Sequence, residues 1–171
     1  MSVWNYNVQD LQKVKTPLSI VKELCTELGS VSGWKIIARV TEYYGEYRSR
    51  SGIFKPDAND VDEMPAAVAF DVQDVMGENA HDDEHDNKFV YELYVTSKET
   101  PRYKYRVFIM YYGIDMYPVG LTIQENIAQE IGFKSEGILC KDDDSFMKIL
   151  EKILGSNTLG SVLRNLAALN L

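Results

Sequence analysis

Residues 88–112 read KFVYELYVTSKETPRYKYRVFIMYY, and their pattern decides the fold class. Two stretches rich in Tyr, Val, Ile and Phe, Lys88–Ser97 and Arg102–Tyr112, flank Lys98-Glu99-Thr100-Pro101. Aromatic and β-branched side chains fit the pleated, half-buried surface of a strand. A short polar segment with Pro suits the loop joining two such strands. The pair reads as a β-hairpin. Alternation along its second strand predicts that Tyr103, Tyr105, Val107 and Ile109 face the core, leaving Arg102, Lys104 and Arg106 as a basic outer stripe.

Outward from the hairpin, the strand pattern continues. In Trp34–Tyr44, Trp34, Ile36, Ala38 and Val40 alternate with Lys35, Ile37, Arg39 and Thr41. Ala66–Val72 is a shorter apolar strand, and Gly113-Ile114-Asp115 turns into a fifth, Met116–Leu121. Ile138-Leu139-Cys140 has the makings of one more short strand. Five consecutive strands with short connections predict an antiparallel meander, because parallel crossovers need about a dozen residues or more.

Helical spacing appears on both sides. Thr16-Pro17 reads as an N-cap with proline at the first helical position, followed by Leu18, Val21, Leu24, Cys25 and Leu28, with Gly29 as the stop. Leu11 and Val14 extend the same period backwards, towards a kinked start near Asp10. Thr122-Ile123-Gln124-Glu125 fits a capping box ahead of Ile123, Ile127 and Ile131, and Gly132 closes that helix. Phe146, Ile149, Leu150, Ile153 and Leu154 form a second C-terminal helix, and Leu159, Val162, Leu163, Leu166 and Leu169 a third. The expectation is a single α+β domain over residues 1–171. A roughly five-stranded, mainly antiparallel sheet is packed by an N-terminal helix and C-terminal helices.

The chain has 171 residues, 45% hydrophobic and 26% charged, so it is long enough and apolar enough to bury a core. No apolar run approaches the roughly 18 residues that span a bilayer, and the opening residues lack the pattern of a signal peptide. Two cysteines, Cys25 and Cys140, make neither a disulfide framework nor a Cys-x-x-Cys pair, which places the chain by default in a reducing cytoplasm.

Charge is the strongest functional signal. The net charge is −8, yet eleven acids and no Lys or Arg lie between Asp57 and Asn87. The remaining fifteen acids face all eighteen bases, so the rest of the chain carries +3. Like charges at this density repel, keep the segment in solvent, and suit it to meeting a basic partner surface. Duplex DNA, itself polyanionic, is a poor match.

Catalytic patterns are incomplete. His81-Asp82-Asp83-Glu84-His85-Asp86 holds both histidines, four residues apart, a spacing suited to a divalent metal on a helix. The segment has no apolar face to hold such ligands rigid, so no metal or other cofactor is assigned. Asp71 and Glu92 could begin a metal-dependent nuclease centre, but Tyr94 stands where Glu-x-Lys needs its lysine. Glu92 is better read as a charge on the solvent face of a strand. Asp142-Asp143-Asp144 precede a helix and complement its dipole. There is no Gly-x-Ser-x-Gly, no phosphate-binding loop, and no His near either cysteine to serve as base.

Ten of the eleven tyrosines fall between Tyr43 and Tyr117. Packing accounts for most, although tyrosines beside bases on a sheet can also stack single-stranded nucleic acid. The preferred reading is a non-catalytic acidic protein-binding module, of the immunity, inhibitor or counter-defence kind, that covers a basic surface of another protein. Glu78, Asp82, Asp83, Glu84 and Asp86 are its charged rim, and Tyr43, Tyr44 and Tyr47 its aromatic anchors. Two alternatives remain: a metal-dependent enzyme acting on nucleic acid through His81 and His85, and a structural module. In the latter the Leu159–Leu169 stripe packs against a second copy.

Overall fold

The computed structural model describes residues 7, 9–10, 14–44, 89–134 and 137–169, together with the backbone of residues 67–68. Helix α1 spans Pro17–Val31. Thr16 precedes it in an extended conformation, and its side-chain oxygen accepts a hydrogen bond from Ser19 N at 3.1 Å. Such a cap is worth about 1 kcal/mol, and Pro17 fixes φ where no N–H partner exists. The irregular backbone of Val14–Thr16 separates α1 from anything before it. The apolar stripe is as expected: Val21 is fully buried, and Leu18, Leu24, Cys25 and Leu28 pack against the core.

Gly29 does not end this helix, which runs two residues further. Its role is spatial. A Cβ there would lie 2.3 Å from the Trp34 ring, so the missing side chain lets the indole lie across the helix. The reversal is made by Gly33 and Trp34, both at φ 61°, with Trp34 N donating to Gly29 O at 2.7 Å.

Among the described residues six strands follow: β1 (Ile36–Glu42), β2 (Ala67–Val68), β3 (Phe89–Ser97), β4 (Tyr105–Tyr112), β5 (Val119–Ile123) and β6 (Gly137–Cys140). They form one antiparallel sheet in the order β1-β3-β4-β5-β6-β2. The α+β class holds, but the simple meander does not. Only β3 to β6 run in sequence. The chain leaves β1 at one edge, pairs Ala67–Val68 with Leu139–Cys140 at the opposite edge, and returns to β3 beside β1. Strand propensity identifies a strand and is silent on which neighbour it finds.

The hairpin register contains a second departure. Phe89 to Leu93 pair with Tyr112 to Phe108, and Tyr94 then pairs with Arg106, so Val107 is an extra residue in β4. A bulge of this kind shifts the alternation by one. Tyr105 packs towards the main core as expected, but beyond the bulge Phe108, Met110 and Tyr112 take that face. Ile109 is turned to the outer face, where it forms a small second cluster with Val90 and Tyr111. Both faces of β4 are therefore buried, which is why its sequence loses the apolar–polar alternation of a one-sided strand.

The β4–β5 connection carries Met116 at φ 68° and a cis Tyr117–Pro118 bond, and β5 begins at Val119 rather than Met116. Thr122 and Ile123 lie in β5, and no capping box forms there. The short helix α2 is Glu125–Glu130, preceded by Gln124 without a side-chain cap. Instead Gln124 Nε2 donates to Arg106 O at 3.2 Å, tying the helix entry to β4.

Helix α3 (Asp143–Leu154) has a full capping box. Ser145 N donates to Asp142 at 2.8 Å and Asp142 N to Ser145 Oγ at 3.1 Å. Helix α4 spans Asn157–Ala168 and is capped by Ser156. Its first turn is also held by α2: Glu130 accepts from Asn157 N, from Thr158 N at 2.9 Å and from Thr158 Oγ1 at 3.0 Å. Phe146, Ile149, Leu150, Ile153 and Leu159 from these helices fill the core against the sheet. Among the described residues, no helix is long and apolar enough to cross a membrane.

Candidate functional site

The acidic rim expected at Glu78, Asp82, Asp83, Glu84 and Asp86 lies outside the described residues, as do Tyr47, His81, His85 and Asp71. The structure does place Tyr44 and Phe89, which lie before and after that segment in the chain. Tyr43 N donates to Val90 O at 3.0 Å, so the chain departs past Tyr44 and re-enters at Phe89 from one end of the sheet.

Among the described residues, three large apolar side chains are exposed at this end. Tyr44 is 77% exposed just past β1, Phe89 41% at the start of β3, and Ile114 78% in the β4–β5 turn. Phe89 rests on Tyr112, ring centroids 5.4 Å apart, and Tyr91 lies 6.2 Å from the same ring. The Tyr44 hydroxyl donates to the Glu42 carboxylate, whose hydrogen bond and charge push the phenol pKa above its ordinary value. Tyr44 thus presents a neutral ring beside a negative charge. Phe89 and Ile114 were not legible as a pair with Tyr44. Their proximity depends on the hairpin register and the β1–β3 pairing, although Phe89 as the first apolar residue after the acidic run was a usable signal.

Tyr43 points to the outer face and is engaged there. The Arg106 guanidinium lies 4.9 Å from its ring centroid and is held by Glu92 at 3.0 Å. Next to it, Lys104 Nζ lies 4.6 Å from the Tyr94 ring, which is itself buried, and Arg39 is opposite Tyr94 in the β1–β3 register. The basic outer stripe therefore exists at Lys104 and Arg106. Its cations occupy the tyrosine faces that a nucleic-acid base would need for stacking. Glu92 is an ion-pair partner on that face, in keeping with its reading as a solvent-side charge.

Among the described residues, the remaining reactive groups are quiet. Burial pushes the Cys25 thiol up to about 11 and, with Asp142 nearby, the Cys140 thiol up to about 12. Both stay protonated at neutral pH and are poor nucleophiles in that form. Burial, reinforced by Asp143, Cys140 and Asp142, likewise takes Tyr117 to about 12; its hydroxyl has no hydrogen-bond partner among the described residues. Asp142 is held below the usual carboxylate range by hydrogen bonds from Ser145, the role of a helix cap. Among the described residues, no three His, Cys, Asp or Glu side chains converge on a common point that could hold a metal ion. An apolar cavity of about 80 Å³ lies between α1, the sheet and the last two helices, bounded by Leu24, Cys25, Leu93, Phe108, Leu154 and Leu163.

No family model matches the chain, and no curated protein or solved structure is significantly similar to it.

Proposed function

We propose that this chain is a non-catalytic protein-binding module that covers a basic surface of a partner protein, in the manner of an immunity protein, inhibitor or counter-defence protein. The observation that supports this most is the sheet end bearing Tyr44, Phe89 and Ile114. Its Tyr44 and Phe89 are exposed anchors on either side of residues 45–88, which hold twelve acids against four bases. Interfaces of this type draw their energy from a few aromatic anchors and their approach rate from surrounding charge. In this reading Glu78, Asp82, Asp83, Glu84 and Asp86 steer, Tyr44 and Phe89 anchor, and Tyr43 supports the β1 end through its contact with Arg106.

The test is co-purification from extract of the native source, at low and high salt, beside a variant with Asp82, Asp83 and Asp86 changed to Asn and Glu84 to Gln. A partner held by the wild type and released by the variant is the expected result. Once the partner is known, neutralising the acids should slow association and flatten its salt dependence. Tyr44→Ala or Phe89→Ala should instead speed dissociation, with a loss of about 2 kcal/mol for a central anchor. Equal capture and equal kinetics for all these variants would remove the proposal.

A further inference from the structure

Among the described residues strand β1 is an edge of the sheet, and its hydrogen-bonding pattern can be assigned residue by residue. Tyr43 N donates to Val90 O, and Lys98 N donates to Lys35 O. Since the β1–β3 register is unbroken, residues 35, 37, 39, 41 and 43 turn their backbone groups towards β3. Ile36, Ala38, Val40 and Glu42 therefore turn theirs outward. The first of these is already satisfied: the Ser32 hydroxyl lies 3.3 Å from both Ile36 N and Ile36 O. Among the described residues, nothing pairs with the outward N–H and C=O groups of Ala38, Val40 and Glu42. The strand also carries no proline and no bulge, two of the devices that usually protect an edge.

We propose that this edge is a self-association surface, on which β1 of a second copy pairs antiparallel about a two-fold axis at Val40 to make one continuous sheet. With the axis placed at an outward residue, charge and Ser32 set the register. Centring on Glu42 would set two carboxylates directly opposite each other, and centring on Ala38 would require the Ile36 groups that Ser32 already holds. Centring on Val40 uses all three open residues and makes six backbone hydrogen bonds. On the helix side Val40 meets Val40 of the second copy, and Ala38 meets its Glu42. On the outer side Arg39 meets Thr41, and Ile37 meets Tyr43. No like charges are opposed, and the aromatic–β-branched pair is a favourable cross-strand match. A two-fold interface must be self-complementary in this way.

The experiment is sedimentation equilibrium of the full chain from nanomolar to near-millimolar concentration, and it requires no other partner, so it stands apart from the binding proposal. A reversible rise from 19.5 kDa to twice that mass is expected. Val40→Pro removes an outward N–H while sparing the ladder to β3, and should remain 19.5 kDa throughout. Position 41 also faces Glu92 of β3 in its own chain, so the charge test is made on a Glu92→Gln background: there Thr41→Arg places arginines opposite Arg39 at two symmetric positions and should weaken the dimer about tenfold, whereas Thr41→Glu should tighten it. If Val40→Pro fails to fold, the opposed Thr41 variants decide. A wild type of 19.5 kDa at every concentration overturns the proposal. So does a dimer indifferent to both charges at position 41.

Discussion

Gly120 and Gly29 pose the same steric problem with opposite expected outcomes. A Cβ on Gly120 would lie 2.0 Å from the Tyr111 ring, and one on Gly29 would lie 2.3 Å from the Trp34 ring. Both contacts are impossible without movement. Tyr111 is fully buried beside Val90 and Ile109, so its ring can retreat only by disrupting the outer cluster on which Tyr43 packs. Over-packing of that kind costs about 1–3 kcal/mol, while removing a glycine from a strand returns roughly 0.5–1 kcal/mol through the unfolded chain. Gly120→Ala should therefore destabilise by about 1–2 kcal/mol, a fall of roughly 2–8 °C in Tm for a chain of this size. Trp34 is 56% exposed and can swing into solvent. Gly29→Ala also gains about 0.8–1 kcal/mol of helix propensity, so its stability should be unchanged or slightly higher, with red-shifted tryptophan emission. Urea denaturation of both variants, and of Gly120→Ala combined with Tyr111→Leu, measures the difference. The double variant should show a favourable coupling of about 1 kcal/mol. Equal losses at the two glycines, or no coupling to Tyr111, would refute the claim that ring confinement sets the sign.

Two further predictions concern titrating groups. Glu130, where hydrogen bonds from Thr158 and Asn157 outweigh partial desolvation, and Asp142, held by Ser145, both have carboxyl pKa values below the ordinary range. A lowered folded-state pKa gives stability that is present above the unfolded value, about 4, and is lost as pH falls through the folded one. Glu130→Gln and Asp142→Asn should each flatten the acid limb of a urea-midpoint profile and leave its slope above pH 6 unchanged; an unaltered acid limb would contradict the capping roles. Cys25, at about 11, is roughly one part in a thousand thiolate at pH 8. Allowing for its higher intrinsic nucleophilicity, it should react with a disulfide reagent about an order of magnitude more slowly than free cysteine. Cys140, fully buried at about 12, should react only on unfolding. Prompt labelling of Cys140 in the native protein would show that β6 opens.

Local patterns were legible because local physics sets them. Thr16-Pro17 and Asp142 through Ser145 satisfy backbone groups within one turn, so the starts of α1 and α3 can be read without knowing the fold. The Lys98–Pro101 loop likewise lies between β3 and β4. Thr122–Glu125 misled for a related reason: its letters fit a capping box, but Ile123 gains more by burial in β5 than a cap would return. The aromatic end was half legible. Tyr44 could be singled out with Tyr43 and Tyr47 ahead of Arg48 and Arg50, whereas Phe89 and Ile114 join it only through strand pairing.

The sequence by itself determined the α+β class, the helical stripes, the hairpin, and the concentration of eleven acids in one segment. These follow from side-chain period and charge, which neighbouring residues carry together. Tertiary structure decided the rest: that β2 lies against β6, that Val107 is the extra residue turning Ile109 outward, and that Arg106 and Lys104 cover tyrosine rings. It also decided that, among the described residues, β1 ends the sheet with Ala38, Val40 and Glu42 turned outward. Each of these depends on which strand meets which and in what register. Contacts between residues far apart in the chain fix that choice, and no local periodicity encodes it.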